Sequence, residues 1–86
     1  MAASVESVRL TVLARNYCHL CTDMISALQR MQAEFPFAFE VVDVDADPDL
    51  ERSYGEKVPV LLHGSKEICH FHLDNARLSD YLSKIC

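Results

Sequence analysis

The sequence predicts an α/β fold, a four-stranded mixed sheet flanked by helices in the order β-α-β-α-β-β-α. Three observations carry this. Short runs rich in apolar and β-branched residues alternate with segments of helical periodicity. A C-x-x-C pair, Cys18-His19-Leu20-Cys21, sits where the first such run hands over to the first helix. Two later runs are joined by a short turn containing Gly64-Ser65, a hairpin signal.

The elements follow in order. Val8-Arg9-Leu10-Thr11-Val12-Leu13-Ala14 reads as the first strand. Leu20, Met24, Leu28 and Met31 recur at three- and four-residue steps, the period of a helix with one buried stripe. Pro36 ends the next loop, and Phe37 to Val44 reads as a second strand. Two strands bracketing a helix should form a right-handed parallel βαβ unit. Asp47-Pro48 supplies a helix cap and a proline at the first helical position, where its missing N–H costs nothing. That short helix runs through Tyr54 to a C-terminal signal at Gly55. Val60 to His63 is a third strand, and Glu67 to Phe71, after the Gly64-Ser65-Lys66 turn, a fourth. Asp74 caps a last helix whose apolar stripe is Leu78, Tyr81, Leu82 and Ile85.

The chain has 86 residues, room for one compact domain over 1–86 with its core at about 8–85. Thirteen acidic against eight basic residues give a net charge of −5, which argues against nucleic acid or an anionic membrane surface as partner. No apolar run is long enough to span a bilayer. Residues 1–7 have neither the basic start nor the apolar stretch of a signal peptide. The expectation is a cytoplasmic monomer. Four cysteines could instead form a disulfide scaffold, but the missing signal peptide and the low glycine and proline content favour redox chemistry.

The first N–H groups of a helix lack intrahelical acceptors and carry the positive end of the helix dipole. A thiolate at Cys18 should be stabilised there, with His19 adding a charge when protonated. Cys21 lies one turn later on the same side. Cys18 is therefore expected to be the nucleophile and Cys21 the resolving thiol.

The element order, Cys18-His19-Leu20-Cys21 at the first strand–helix junction and Val58-Pro59 before the third strand together resemble the thioredoxin superfamily. Length and the single terminal helix point to its glutaredoxin-like branch. The chain is similar to small bacterial glutaredoxin-like proteins with a C-H-L-C site and a V-D-V-D-x-D-P segment, here Val42 to Pro48. The resemblance spans about Val8 to Leu82 and implies a thioredoxin-like, glutaredoxin-type fold with thiol–disulfide oxidoreductase activity. It implies a cis bond at Val58-Pro59, with the Val58 backbone free to pair with an extended substrate. Arg15 stands where glutaredoxins carry a lysine for the glutathione carboxylate, and Lys57 is a second candidate carboxylate partner. Tyr17, His19, His72 and Asp74 complete the expected substrate-positioning set. No cofactor is expected to be bound; glutathione is a candidate co-substrate, and the partner is a disulfide-containing protein or glutathione itself.

Two positions depart from the glutaredoxin pattern. His19 replaces the usual proline, and Cys69-His70-Phe71-His72-Leu73 stands where a Gly-Gly pair normally admits glutathione. These bulky residues are expected to narrow that pocket. The alternative reading is a non-catalytic module of the same fold that binds a partner, zinc or an iron–sulfur cluster through Cys18, His19 and Cys21, joined by Cys69, His70 or His72. Against a metal, strand alternation puts Cys69 and His70 on opposite faces. Asp43, Asp45, Asp47 and Asp49 alternate like the start of a calcium loop, but Pro48 and Tyr54 occupy the places of its glycine and glutamate. His63 and His70 read as ordinary strand residues, Cys69 as a small buried hydrophobe, and Cys86 as an exposed terminal thiol.

Overall fold

A computed structural model describes residues 8–85; the readings made of residues 1–7 and of Cys86 lie outside the described residues. The strands are β1 (Arg9–Ala14), β2 (Ala38–Asp43), β3 (Val60–His63) and β4 (Lys66–His70). The helices are α1 (His19–Met31), α2 (Pro48–Tyr54) and α3 (Asn75–Ile85), with a 3-10 turn at Val44–Ala46. The strands form one mixed sheet in the order β2-β1-β3-β4. β1 pairs parallel with β2, as the helix between them requires, and β3 pairs antiparallel with both β1 and β4.

The two central strands supply the middle of the core. Leu10, Val12 and Leu13 of β1 and Val60 and Leu61 of β3 are all buried, so these strands are covered on both faces and read as continuous apolar runs. Met24 and Leu28 of α1 and Leu78 and Leu82 of α3 close the core. No helix among the described residues is long and apolar enough to cross a membrane.

Several expected boundaries move. The second strand is Ala38–Asp43, shorter than Phe37 to Val44, because the Asp43 side chain accepts the Asp45 N–H at 2.9 Å and starts the 3-10 turn at Val44. β4 starts one residue earlier than expected, at Lys66, which pairs with His63 across the turn, and ends at His70 because Phe71 takes a left-handed φ of 66°. Positive φ at Gly64 alone among the two turn residues gives the hairpin its type II′ character. In α1 the buried stripe is Cys21, Met24 and Leu28, while Leu20 is half-buried and Met31 sits at the core margin. In α3, Ile85 is 41% exposed and Tyr81 half-buried, so Leu78 and Leu82 carry that interface. Gly55 does end α2, but with φ of −53° and not in the left-handed region. Its requirement is space: a Cβ there would lie 2.5 Å from the Glu51 carbonyl oxygen.

Register fixes one end of the sheet as the site. Ala14 is level with Asp43 on one side, and Leu13 with Val60 on the other, so Pro59 falls beside Ala14. Phe71 donates its N–H to the Pro59 carbonyl at 2.8 Å. Asp43, Ala14, Pro59 and Phe71 thus form a row across all four strands, and the C-x-x-C loop leaves from its centre.

Candidate redox site at the start of helix α1

Cys18 is the N-cap of α1, with an extended backbone (φ −115°, ψ 105°). Its sulfur accepts the Cys21 N–H at 3.1 Å, the bond a serine or aspartate cap makes to the third helical residue. The Cys18 carbonyl accepts from the Thr22 N–H at 3.2 Å. No acidic residue lies in the first turn, so nothing there offsets the positive helix end. Cys18 and Cys21 form a disulfide with Cα atoms 5.2 Å apart. Cys21 is 3% exposed, whereas Cys18 is half-buried and borders a cleft. The outer sulfur is the one a reactant can reach.

The peptide bond Val58-Pro59 is cis, and both residues are buried beside the loop. Among the described residues, two non-glycine residues have positive φ, Tyr17 at 60° and Phe71 at 66°, and both are exposed aromatics at this end of the sheet.

The residues expected to position substrate are divided by the fold. Arg15, Tyr17 and His19 join Cys18 and Cys21 around one cleft of about 540 Å³. His72 and Asp74 line a separate recess with Cys69, His70 and Arg77. Asp74 accepts the Arg77 N–H at 3.0 Å and is the cap of α3.

Both cations assigned to a substrate carboxylate hold carboxylates of the chain itself. Arg15 donates to Asp45 at 2.6 and 3.3 Å, to Glu51 at 3.5 Å and to the Gly55 carbonyl at 2.9 Å. It therefore clamps the loop after β1 to the 3-10 turn before α2, to the middle of α2 and to the residue that ends it. Lys57 pairs with Glu67 at 3.0 Å, and the other Glu67 oxygen lies 2.8 Å from His70 Nδ1. Hydrogen bonding by Arg15 holds the Asp45 carboxyl below its ordinary range, and hydrogen bonding by Lys57, then His70, does the same for Glu67. Carboxyls depressed in the folded state stabilise it above the unfolded carboxylate range, and that contribution is lost as pH falls through the lower folded values. The urea midpoint should hold between about pH 7 and 5 and fall below that, and Asp45→Asn should flatten part of the fall. A midpoint unchanged down to about pH 3 contradicts this.

The alternating aspartates have separate structural tasks. Asp43 caps the 3-10 turn, Asp45 holds Arg15, and Asp47 caps α2 through the Asp49 N–H at 2.9 Å. Among the described residues, no group of three or more His, Cys, Asp and Glu is arranged to hold a metal ion. Cys69 is buried on β4, and burial pushes its thiol pKa up, partly opposed by a hydrogen bond from the Asp74 backbone. His63 Nδ1 hydrogen-bonds with the Tyr81 hydroxyl.

Among the cleft residues that the sequence reading did not assign to the site are Thr22, Ile25, Val41 and Asp43. A signal existed for each. Thr22 and Ile25 follow Cys18 by four and seven residues, one helix face. Val41 and Asp43 alternate at the carboxyl end of a strand parallel to β1, where open α/β sheets place their crevices.

A thioredoxin-like sheet with a cysteine pair capping its first helix defines a redox-type protein of the thioredoxin fold. The chain belongs to the glutaredoxin-like family: the family model described as Glutaredoxin-like domain (DUF836) matches residues 9–83. It is similar to the protein Ne2328 of Nitrosomonas europaea, whose solution structure shares 39% identity and a TM-score of 0.81 over 87% of this chain and 91% of that one. A crystal structure of the protein XcR50 from X. campestris shares 36% identity and a TM-score of 0.70, over 87% and 96% of the two chains. The uncharacterized protein Rv0508 of Mycobacterium tuberculosis is 27% identical over 75 residues, 81% of this chain and 77% of that protein.

Proposed function

We propose that the chain is a thiol–disulfide oxidoreductase that works from its reduced Cys18–Cys21 dithiol in a reducing, cytoplasmic setting. The Cys18 thiolate attacks one sulfur of a substrate disulfide. A new bond joins Cys18 to that sulfur, and the other substrate sulfur leaves and takes a proton from water. The Cys21 thiolate then attacks Cys18 Sγ, closing the Cys18–Cys21 disulfide and releasing the second substrate thiol. The substrate gains two electrons and the chain loses two. A thiol donor, glutathione or a protein dithiol, restores the chain by the reverse exchange.

The observation that carries this reading is the hydrogen bond from the Cys21 N–H to the Cys18 sulfur at the uncompensated start of α1. In the reduced dithiol the same N–H and helix end favour a thiolate on the sulfur that borders the cleft, with the Cys21 thiol one turn away. His19, next to Cys18, suits tuning of its thiolate.

Equilibration in a series of glutathione redox buffers, read by alkylation and mass spectrometry, tests the proposal. A reversible two-electron transition between roughly −200 and −270 mV is expected, the range of working glutaredoxins and thioredoxins. A pair that never closes across the series, or closes irreversibly, overturns it and leaves a binding module of the same fold.

A further inference from the structure

The cleft at Cys18 opens on the β2 side of the redox loop, away from cis Pro59. Its wall runs from Tyr17 and Cys18 over Thr22 and Ile25 of α1 to Val41 and Asp43 of β2, and neither Pro59 nor His72 contributes. Three features of this wall need an explanation that the fold does not supply. Tyr17 is fully exposed and has a left-handed backbone, an unfavourable state for a residue with a Cβ, so packing does not account for it. Val41, on the edge strand, is 49% exposed although an apolar side chain gains from cover. The charge at the rim is also wrong for a small anion. Asp43 lines the cleft, and the Arg15 guanidinium is already paired with Asp45 and Glu51.

From these we infer that the cleft is a docking subsite for an extended protein segment carrying the substrate disulfide. An apolar side chain beside the reacting cysteine covers Ile25 and Val41 under Tyr17, and a cationic residue meets Asp43. Glutathione, with two carboxylates and no large apolar side chain, is the poorer substrate. This rests on the proposed oxidoreductase function and names its substrate class.

The test follows oxidation of the reduced 86-residue chain by four disulfides: glutathione disulfide, hydroxyethyl disulfide, and the dimers of two short peptides containing Leu-Cys-Lys or Leu-Cys-Glu. Each rate is divided by that disulfide's rate with dithiothreitol, which removes intrinsic reactivity. The Leu-Cys-Lys dimer is expected to react about tenfold faster than glutathione disulfide on this scale, combining burial of the leucine with a charge reversal. It should outpace the Leu-Cys-Glu dimer about fivefold at low salt, and Asp43→Asn, which keeps a capping side chain, should remove that preference. Val41→Ser should lower the ratio of the Leu-Cys-Lys rate to the hydroxyethyl disulfide rate about fivefold. A glutathione disulfide rate equal to that of the Leu-Cys-Lys dimer, or a ratio unmoved by Val41→Ser, overturns the subsite while leaving the oxidoreductase reading intact. A chain inert to hydroxyethyl disulfide as well overturns both.

Discussion

Cys18→Ser is expected to abolish disulfide exchange, with a loss on the order of a thousandfold or more, as when an enzyme loses its nucleophile. Serine keeps the cap, since its hydroxyl can accept the Cys21 N–H as the sulfur does, so the fold should be retained and the loss should be chemical. Cys21→Ser should behave differently. Its sulfur is buried and follows the first step, so attack at Cys18 still proceeds but the mixed disulfide is no longer resolved. Mass spectrometry after mixing with hydroxyethyl disulfide should show an adduct on Cys18 in this variant and none on Cys69, which is buried with its thiol pKa raised. An adduct that accumulates instead on Cys21 in the Cys18→Ser variant, at a comparable rate, would reverse the assigned roles.

Leu28→Ala carries the largest expected effect on stability. Leu28 is fully buried on α1, where Met24 and Cys21 share its face, and truncation removes transfer energy and leaves a cavity. The cost should be about 2–5 kcal/mol, a large part of the roughly 5–15 kcal/mol that holds a domain together. Leu20→Ala should cost well under half as much, because Leu20 is only half-buried. The periodicity of the chain ranks these two leucines alike; the fold does not. Urea denaturation of both variants separates the readings, and equal midpoints would show that the buried face of α1 has been misplaced.

The difference between Leu20 and Leu28 shows where local pattern stops. Helical period locates a stripe to within a residue or so, but the face that is buried depends on how the helix leaves the strand before it. Here the Cys18 cap sets that exit and turns Cys21 inward. The sense of two strand pairings, by contrast, was legible: a helix between β1 and β2 demands a parallel pair, and a short turn after β3 demands an antiparallel one. The caps were legible too, since Asp47 and Asp74 each precede a helix at the spacing that satisfies its first N–H groups.

The charges were not. Arg15 and Lys57 look available in the sequence because their partners lie far along it: Asp45 and Glu51 are 30 and 36 residues from Arg15, and Glu67 is 10 from Lys57. Only folding brings those carboxylates within hydrogen-bond reach, so that both cations already have partners within the chain. The cleft has the same origin, since its walls come from α1 and β2, which meet only through β1.

By itself, then, the sequence determined the order of elements, the cysteine pair at a helix start and the family to which the chain belongs, because each rests on contacts a few residues long or on a motif. The tertiary structure alone decided which sulfur faces the cleft, which cations are already paired and on which side of Cys18 the cleft opens. Those are matters of burial and distance between segments remote in sequence, and no local pattern encodes them.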